Sequence, residues 1–296
     1  MRIAMKFETL KQIGRNAIRN KDHRWLLIWL IGVALVWIWN MGMLNAPALT
    51  QIESAFIHTM IVSVLVVTFS SVLGWSAAMA LHFSEGSEYR RWHLVLTFIL
   101  NVLRSIPQII GVLLGYAVLT IFIERDILER DAWKMFWMAW VIAGFVFLEF
   151  MDLLRERIQF FKRSDFYPAM LVSGIRESRI IQYDILWKNS LVHIVNKLIA
   201  IFGTAIFLQC SVDFIISVGL STDVSSLNFP VTLGGMLAKM DSKKDILAVG
   251  YSLTNPSYIP RLFMLHLQGI TTAFLIVFTL FSIYKINKEF SKRFHI

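Results

Sequence analysis

The feature that most constrains this chain is a repeated alternation of long apolar runs with short polar ones. The apolar runs cover approximately Trp25–Met43, Phe56–Leu81, Leu94–Ile123, Met135–Leu153, Leu191–Val218 and Leu262–Tyr284. A helix needs roughly 20 mostly apolar residues to cross the hydrocarbon of a bilayer, and these runs are of that order or longer. They are apolar on all faces, whereas the helices of a large soluble protein would be amphipathic. With hydrophobic residues at 56% of the sequence, the expectation is an all-α polytopic membrane protein with about six transmembrane helices.

The third run is too long for one span and is broken by "NVLRSIPQIIG". Pro107 removes a backbone donor and Arg104 is costly in lipid, so a kink or a cavity-lining break belongs there. One bent helix and a helix followed by a partial one both satisfy the pattern. Orientation follows from Lys and Arg, which are retained on the cytoplasmic side. The first 24 residues carry Arg2, Lys6, Lys11, Arg15, Arg19, Lys21 and Arg24, while "LNAPALTQIES" after the first run has no base. Basic residues recur after the second and fourth runs and in the tail, so both termini are expected in the cytoplasm. The net charge of +9 then faces the inner leaflet, and nucleic acid is not needed to explain it. Residues 1–24 space Phe7, Leu10, Ile13 and Ile18 among bases, as an interfacial helix would. Residues 25–296 are expected to form one transmembrane domain. The sole cysteine, Cys210, lies in an apolar run and permits no intrachain disulfide.

Catalytic and nucleotide-binding signatures are missing. No G-x-x-x-x-G-K-[ST], H-E-x-x-H, C-x-x-C or G-x-S-x-G occurs, and the seven histidines lack ligand spacing. The chain is expected to be neither an enzyme nor a metal protein.

Between the fourth and fifth runs stands a polar island, "DFYPAMLVSGIRESRIIQYDILWKN", within a cytoplasmic segment spanning residues 160–189. Tyr167 to Arg176 fits a short helix with Pro168 in its first turn and Asp165 as its cap. Gly174 would end or bend it, and "ESRIIQYDILW" would begin a second helix leading back into the membrane. Two short helices joined at a glycine make a docking knob for another protein.

This island resembles the cytoplasmic loop of the membrane subunits of bacterial ABC importers. That loop follows the pattern E-A-A-x-x-x-G, nine residues, then I-x-L-P; in peptide and nickel permeases it is similar to D-Y-V-E-A-A…G…R-I-I…H-I-L-P-N. Asp165, Ala169, Gly174, Arg179-Ile180-Ile181, Ile185-Leu186 and Asn189 stand in matching places. Pro168, Met170 and Trp187 depart from the pattern, standing for its Glu, second Ala and Pro. "FIISVGLSTDVSSLNFPVTLGGMLAKM" is similar to the last external region of those permeases, and the basic amino terminus suits the second permease of a pair. The resemblance implies a passive gate in a bacterial inner membrane, forming half of a pathway for peptides or a similar small solute. Its partners would be a second, non-identical permease, two ATPase subunits and an external solute-binding protein. ATP and Mg would bind the ATPase, and this chain would carry no cofactor. Asp165, Pro168, Ala169, Met170, Gly174, Ile175, Arg176, Ile185 and Leu186 would form the ATPase-coupling element.

Ionisable groups inside spans are functional candidates because the bilayer penalises them. Arg104 and Pro107 could line the translocation path or hold a broken helix. Glu149 and Asp152, three apart on one face, suggest an ion-pair cluster with Arg155 and Arg157. Lys197 is expected to snorkel to the inner interface. Gln209 and Asp213, four apart, would contact solute or brace the partner permease. The small residues of "GWSAAMA" (74–80) permit close helix packing. Residues 219–261 form a long external loop, either an outer gate or receptor surface, or a solvated connection. Rival functions are a secondary transporter or channel outside the ABC class, and a permease-like regulatory subunit with degenerate coupling.

Overall fold

The computed structural model describes residues 20–85, 90–219, 229–239, 242–265 and 267–294, and every regular element among them is a helix. Most of the expected interfacial helix, residues 1–19, lies outside the described residues, as do 220–228 and 240–241 of the expected external loop. The first span, α1 (Lys21–Met43), ends at Leu44 in an extended conformation. Asn45 then accepts the Ala48 amide at 3.1 Å, capping α2 (Ala46–Phe83). At 1.5 Å per residue the 38 residues of α2 reach about 57 Å, well beyond a bilayer core of roughly 30 Å. Hydroxyls along α2, including Thr59, Ser63 and Ser71, donate to carbonyls four residues back, which hides them from lipid.

The broken third run forms α3 (Arg90–Ser105) and α4 (Gln108–Glu124), bent by 95°. Pro107 sits at the break as the N-cap residue of α4, and its carbonyl accepts from Ile110 and Gly111. Next come α5 (Asp131–Lys162) and α6 (Phe166–Val172). A helical turn (Glu177–Arg179) runs into a π-helix (Ile180–Asn189), followed by α7 (Leu191–Gly219). After it come α8 (Leu233–Lys239), α9 (Ser242–Thr254), a short 3₁₀ turn (Pro256–Tyr258), α10 (Ile259–Leu265) and α11 (Leu267–Arg293). The described part of residues 219–261 is therefore largely helical, correcting the expected loop. Five helices, α1, α2, α5, α7 and α11, are long and apolar enough to span a membrane, and the bent α3–α4 pair raises that to six if it is one span. The protein is an all-α multi-pass membrane protein.

The chain divides into two compact units, residues 1–53 with 240–296, and Ser54–Lys239. In the first, α1 pairs with α11. Gly32 lets the Phe278 ring approach so closely that a Cβ at Gly32 would stand 2.5 Å from it. Three polar contacts stitch this pair along its length: Trp29 to Thr279 at 3.0 Å, Thr271 to Asn40 at 3.0 Å, and Arg293 to Asp22 at 3.1 Å. In the second unit the core is built from Val62 and Val66 of α2, Tyr116 of α4, Met138, Ile142 and Phe150 of α5, and Ile201 and Val212 of α7, all essentially buried. Gly74 meets the backbone of α5 there; a Cβ would lie 2.9 Å from the Phe147 carbonyl oxygen. The expected close packing of "GWSAAMA" is present at that glycine.

Candidate functional site

The polar island folds as two helical pieces joined at Gly174. The first piece, α6, starts at Phe166, one residue before the expected Tyr167, keeps Pro168 in its first turn, and stops at Val172, well short of Arg176. Asp165 occupies its N-cap position, but the side chain makes no cap bond and only the carbonyl accepts, from Ala169. The end is closed by Gly174 N–H to the Leu171 carbonyl at 3.0 Å and Ile175 N–H to the Met170 carbonyl at 3.3 Å. These two bonds form a Schellman motif, which needs a left-handed residue at Gly174. Its φ is +78°, a value glycine adopts without steric cost. Met170 and Ile175 accompany the motif as its apolar pair, both half-buried against the core.

The second piece is π-helical for a reason visible in its residues. Ile180-Ile181 and Ile185-Leu186 are five apart, the repeat of i→i+5 bonding, and all four are fully buried. An α-helix would turn the second pair off the first pair's face. Ile185 and Leu186 therefore anchor the segment from below. Asp165, Pro168, Ala169 and Arg176 are exposed, with Leu171 and Val172 forming an apolar tip on which Val172 is 89% exposed. Tyr183 and Trp187 are exposed on the π-helix. Gly174, Arg176, Ser178, Arg179, Gln182 and Tyr183 line an open cleft of about 580 Å³ beside the tip.

A polar hub fixes this segment to the spans, and sequence reasoning missed it. Glu177 Oε1 accepts from the Tyr167 hydroxyl at 2.5 Å, lies 3.1 Å from His82 Nε2 at the end of α2, and is 3.9 Å from Lys162 Nζ at the end of α5. The Tyr167 hydrogen bond, more than the other contacts, holds the Glu177 carboxyl below its usual range. Burial, then the Glu177 contact, raises the Tyr167 phenol. No local spacing could have revealed a contact between residues as distant in sequence as His82 and Glu177.

Four charges on α3, α5 and α7 pair off near the break. Arg104 bonds Asp152, tying the end of α3 to α5. Glu149 accepts from Lys197 at 2.7 Å and from the Gln108 amide at 3.1 Å. The expected ion-pair cluster exists, but its cations are Lys197 and Arg104. Arg157, expected to belong to it, instead bonds Ser190 at 3.3 Å and packs over Phe160 and Phe161. Lys197, expected to snorkel, bonds Glu149, and an ion pair there spares both charges from lipid. Pro107 lies next to this cluster in sequence and makes the turn that brings Gln108 to Glu149.

Gln209 and Asp213 lie on one face of α7, away from those charges, and both are buried. The segment Phe229–Lys239 packs on this stretch of α7 at Asp213 and Cys210. Thr232 donates to Asp213 Oδ2 at 2.6 Å, and Thr59 on α2 accepts the Leu233 amide at 3.1 Å. His58 Nδ1 is 3.0 Å from the Val231 carbonyl. Gly234 presses on the Cys210 carbonyl, where a Cβ would approach to 2.2 Å. Thr59 carried no signal in the sequence, since an isolated threonine in an apolar run usually bonds its own helix, and Thr232 carried none because it stood in the segment read as a loop. Among the described residues no group of three or more His, Cys, Asp or Glu could hold a metal ion. No family model matches the chain, and no curated protein matches it.

Proposed function

We propose that this chain is the membrane-spanning permease subunit of an ABC importer in a bacterial inner membrane. It forms half of a path for peptides or a similar small solute, with both termini in the cytoplasm. Its partners are a second, non-identical permease, two ATPase subunits that bind ATP and Mg, and an external solute-binding protein. The observation that carries this reading is the segment Asp165–Asn189. It combines an exposed apolar tip, a glycine-shaped turn and an open cleft with a base locked to the spans by four buried aliphatic residues and the Glu177 hub. A knob of that build transmits force from a partner that closes around it, and alternating access needs such a link between two states. Arg104 and Pro107 then brace the broken helix beside the path. A second reading, a permease-like regulatory subunit, is favoured by exposed Pro168 and Trp187, which put an imino acid and an indole where the usual pattern has Glu and Pro. Gentle extraction of the tagged chain decides between them. A co-purifying ATPase whose binding depends on the apolar tip supports the importer; a chain that leaves the membrane with no ATPase refutes it.

A further inference from the structure

Acidic side chains in the spans mostly face cations: Asp22 meets Arg293, Glu149 meets Lys197, and Asp152 meets Arg104. Asp213 is buried in α7 and has no cationic partner among the described residues, only the Thr232 hydroxyl. Gln209, one turn away on the same face, is fully buried, and neither its amide oxygen nor its nitrogen has a hydrogen-bond partner among the described residues. The Tyr116 hydroxyl of α4 is buried and equally without a partner among the described residues. The segment that bonds Asp213 through Thr232 also reaches Tyr116 through Phe229, which places these two groups in one region. Phe229 stacks on the Tyr116 ring with centroids 6.0 Å apart, and the hydrogen bonds of Thr232 and Leu233 hold this roof down.

Buried polar groups without partners are rare because each forfeits the bonds that water would supply. Two of them near one buried carboxyl group that faces no cation among the described residues point to a ligand that provides what is missing. An anion is repelled by Asp213, and a neutral group leaves the carboxylate unmatched. A divalent metal would want more carboxylate or imidazole donors than this cluster offers. A protonated amine matches the chemistry of this set: its N–H donors supply what the Asp213 carboxyl, the Gln209 carbonyl and the Tyr116 oxygen lack. We propose that Asp213, Gln209 and Tyr116 form a covered subsite for the protonated amine of a small organic molecule. That this molecule is the transported solute rests on the permease reading; the site itself does not.

Cys210 is the chain's sole cysteine, is buried, and lies three residues from Asp213 beneath Gly234, so its alkylation reports on the site. The test uses the purified full chain in lipid nanodiscs, with cadaverine as probe, pentanediol as its neutral counterpart and glutarate as its anionic one. At a cadaverine concentration about ten times its Kd, N-ethylmaleimide should label Cys210 about tenfold more slowly and the thermal midpoint should rise. Pentanediol and glutarate should do neither, and Asp213→Asn should erase the cadaverine effect. Thr232→Val, which loosens the roof, should speed labelling while keeping cadaverine protection. Equal responses to the three probes, or none, overturn the proposal in wild-type protein alone, whatever the variants do. A cadaverine effect that survives in folded Asp213→Asn overturns it too. An ATPase that co-purifies with a chain showing no charge selectivity refutes the subsite alone. Charge-selective protection in a chain with no ATPase refutes the permease reading alone.

Discussion

Gly174 offers a way to separate the shape of the protruding turn from the stability of the spans. Its φ of +78° lies in the left-handed region, and an added Cβ would find nothing within 4 Å. The cost of any substitution therefore comes from the backbone and not from collision. An L-residue held there costs about 1–2 kcal/mol, less for Asn and more for a β-branched side chain. The buried anchors Ile180, Ile181, Ile185 and Leu186 lie beyond the turn, so that cost falls on the Schellman closure and leaves the span core intact. Every 1.4 kcal/mol shifts the equilibrium constant of the native turn about tenfold, and a partner that docks only on that turn loses affinity in proportion to the fraction of native turn that is lost. On the permease reading, binding of an ATPase subunit to the nanodisc-held chain should fall in the order wild type, Gly174→Asn, Gly174→Ala, Gly174→Val, with the Ala chain up to about tenfold weaker. Gly174→Asp, tolerated by the backbone but charged beside the apolar tip, should abolish transport with insertion intact. Expression and thermal midpoint should change little across the series. A Gly174→Val chain that binds as tightly as wild type would falsify the claim that the left-handed turn is what the ATPase recognises.

Three further outcomes follow from contacts elsewhere in the second unit. Glu149 and Lys197 are each about a third exposed (30% and 27%), so a double-mutant cycle with Glu149→Gln and Lys197→Met should give a coupling of only about 1 kcal/mol in unfolding titrations, and a coupling near zero would mean that the pair does not hold in the membrane. Glu177 has a lowered folded-state pKa, so its stabilisation is complete above the unfolded value of roughly 4.3 and is lost as pH falls through the folded one; Tyr167, with a raised pKa, contributes below roughly 10 and loses that contribution only above it. Proteolysis of the Asp165–Asn189 segment should accordingly quicken at acid pH in wild type and lose that dependence in Glu177→Gln. Gly74→Leu should lower the thermal midpoint through about 1–3 kcal/mol of overpacking against Phe147 and Phe150, and an unchanged midpoint would show that α2 and α5 can separate freely there.

The apolar runs were legible because lipid admits few alternatives to a helix, and the break at Pro107 because proline cannot donate a backbone bond. Gly174 was legible for a comparable reason: a lone glycine between polar helical stretches signals a left-handed turn. What sequence could not give was pairing. Nothing local says that Glu149 takes Lys197 from another span in preference to Arg155 on its own helix, because that choice depends on how α5 packs on α7. The π-helix was hidden for a subtler reason. Its five-residue repeat of buried aliphatics covers only two turns, too short to stand out from the chain's general hydrophobicity. The helices α8 and α9 were read as loop because Gly, Ser, Lys and Asp dominate their flanks, and propensity there yields to packing such as that of Gly234 on α7.

Both sites in the second unit rest on the same two helices, which ties their behaviour together. On α2, Thr59 receives the roof over Asp213 and His82 receives Glu177, 23 residues or about 35 Å further along the axis. On the other side, α7 begins directly after the π-helix and carries Gln209 and Asp213 near its far end. A rigid helix can convey a tilt across that distance, but spatial continuity alone does not demonstrate coupling. Cys210 makes the question measurable. Glu177→Gln weakens the grip of the protrusion on α2 and touches nothing near α8. If the two helices transmit that loosening, the Cys210 alkylation rate should rise in this variant, and Thr232→Val should in turn alter ATPase affinity, since coupling between equilibrium sites is reciprocal. An alkylation rate unchanged in Glu177→Gln, with ATPase affinity unchanged in Thr232→Val, would mean that the roof and the protrusion work independently and that α2 is only a scaffold.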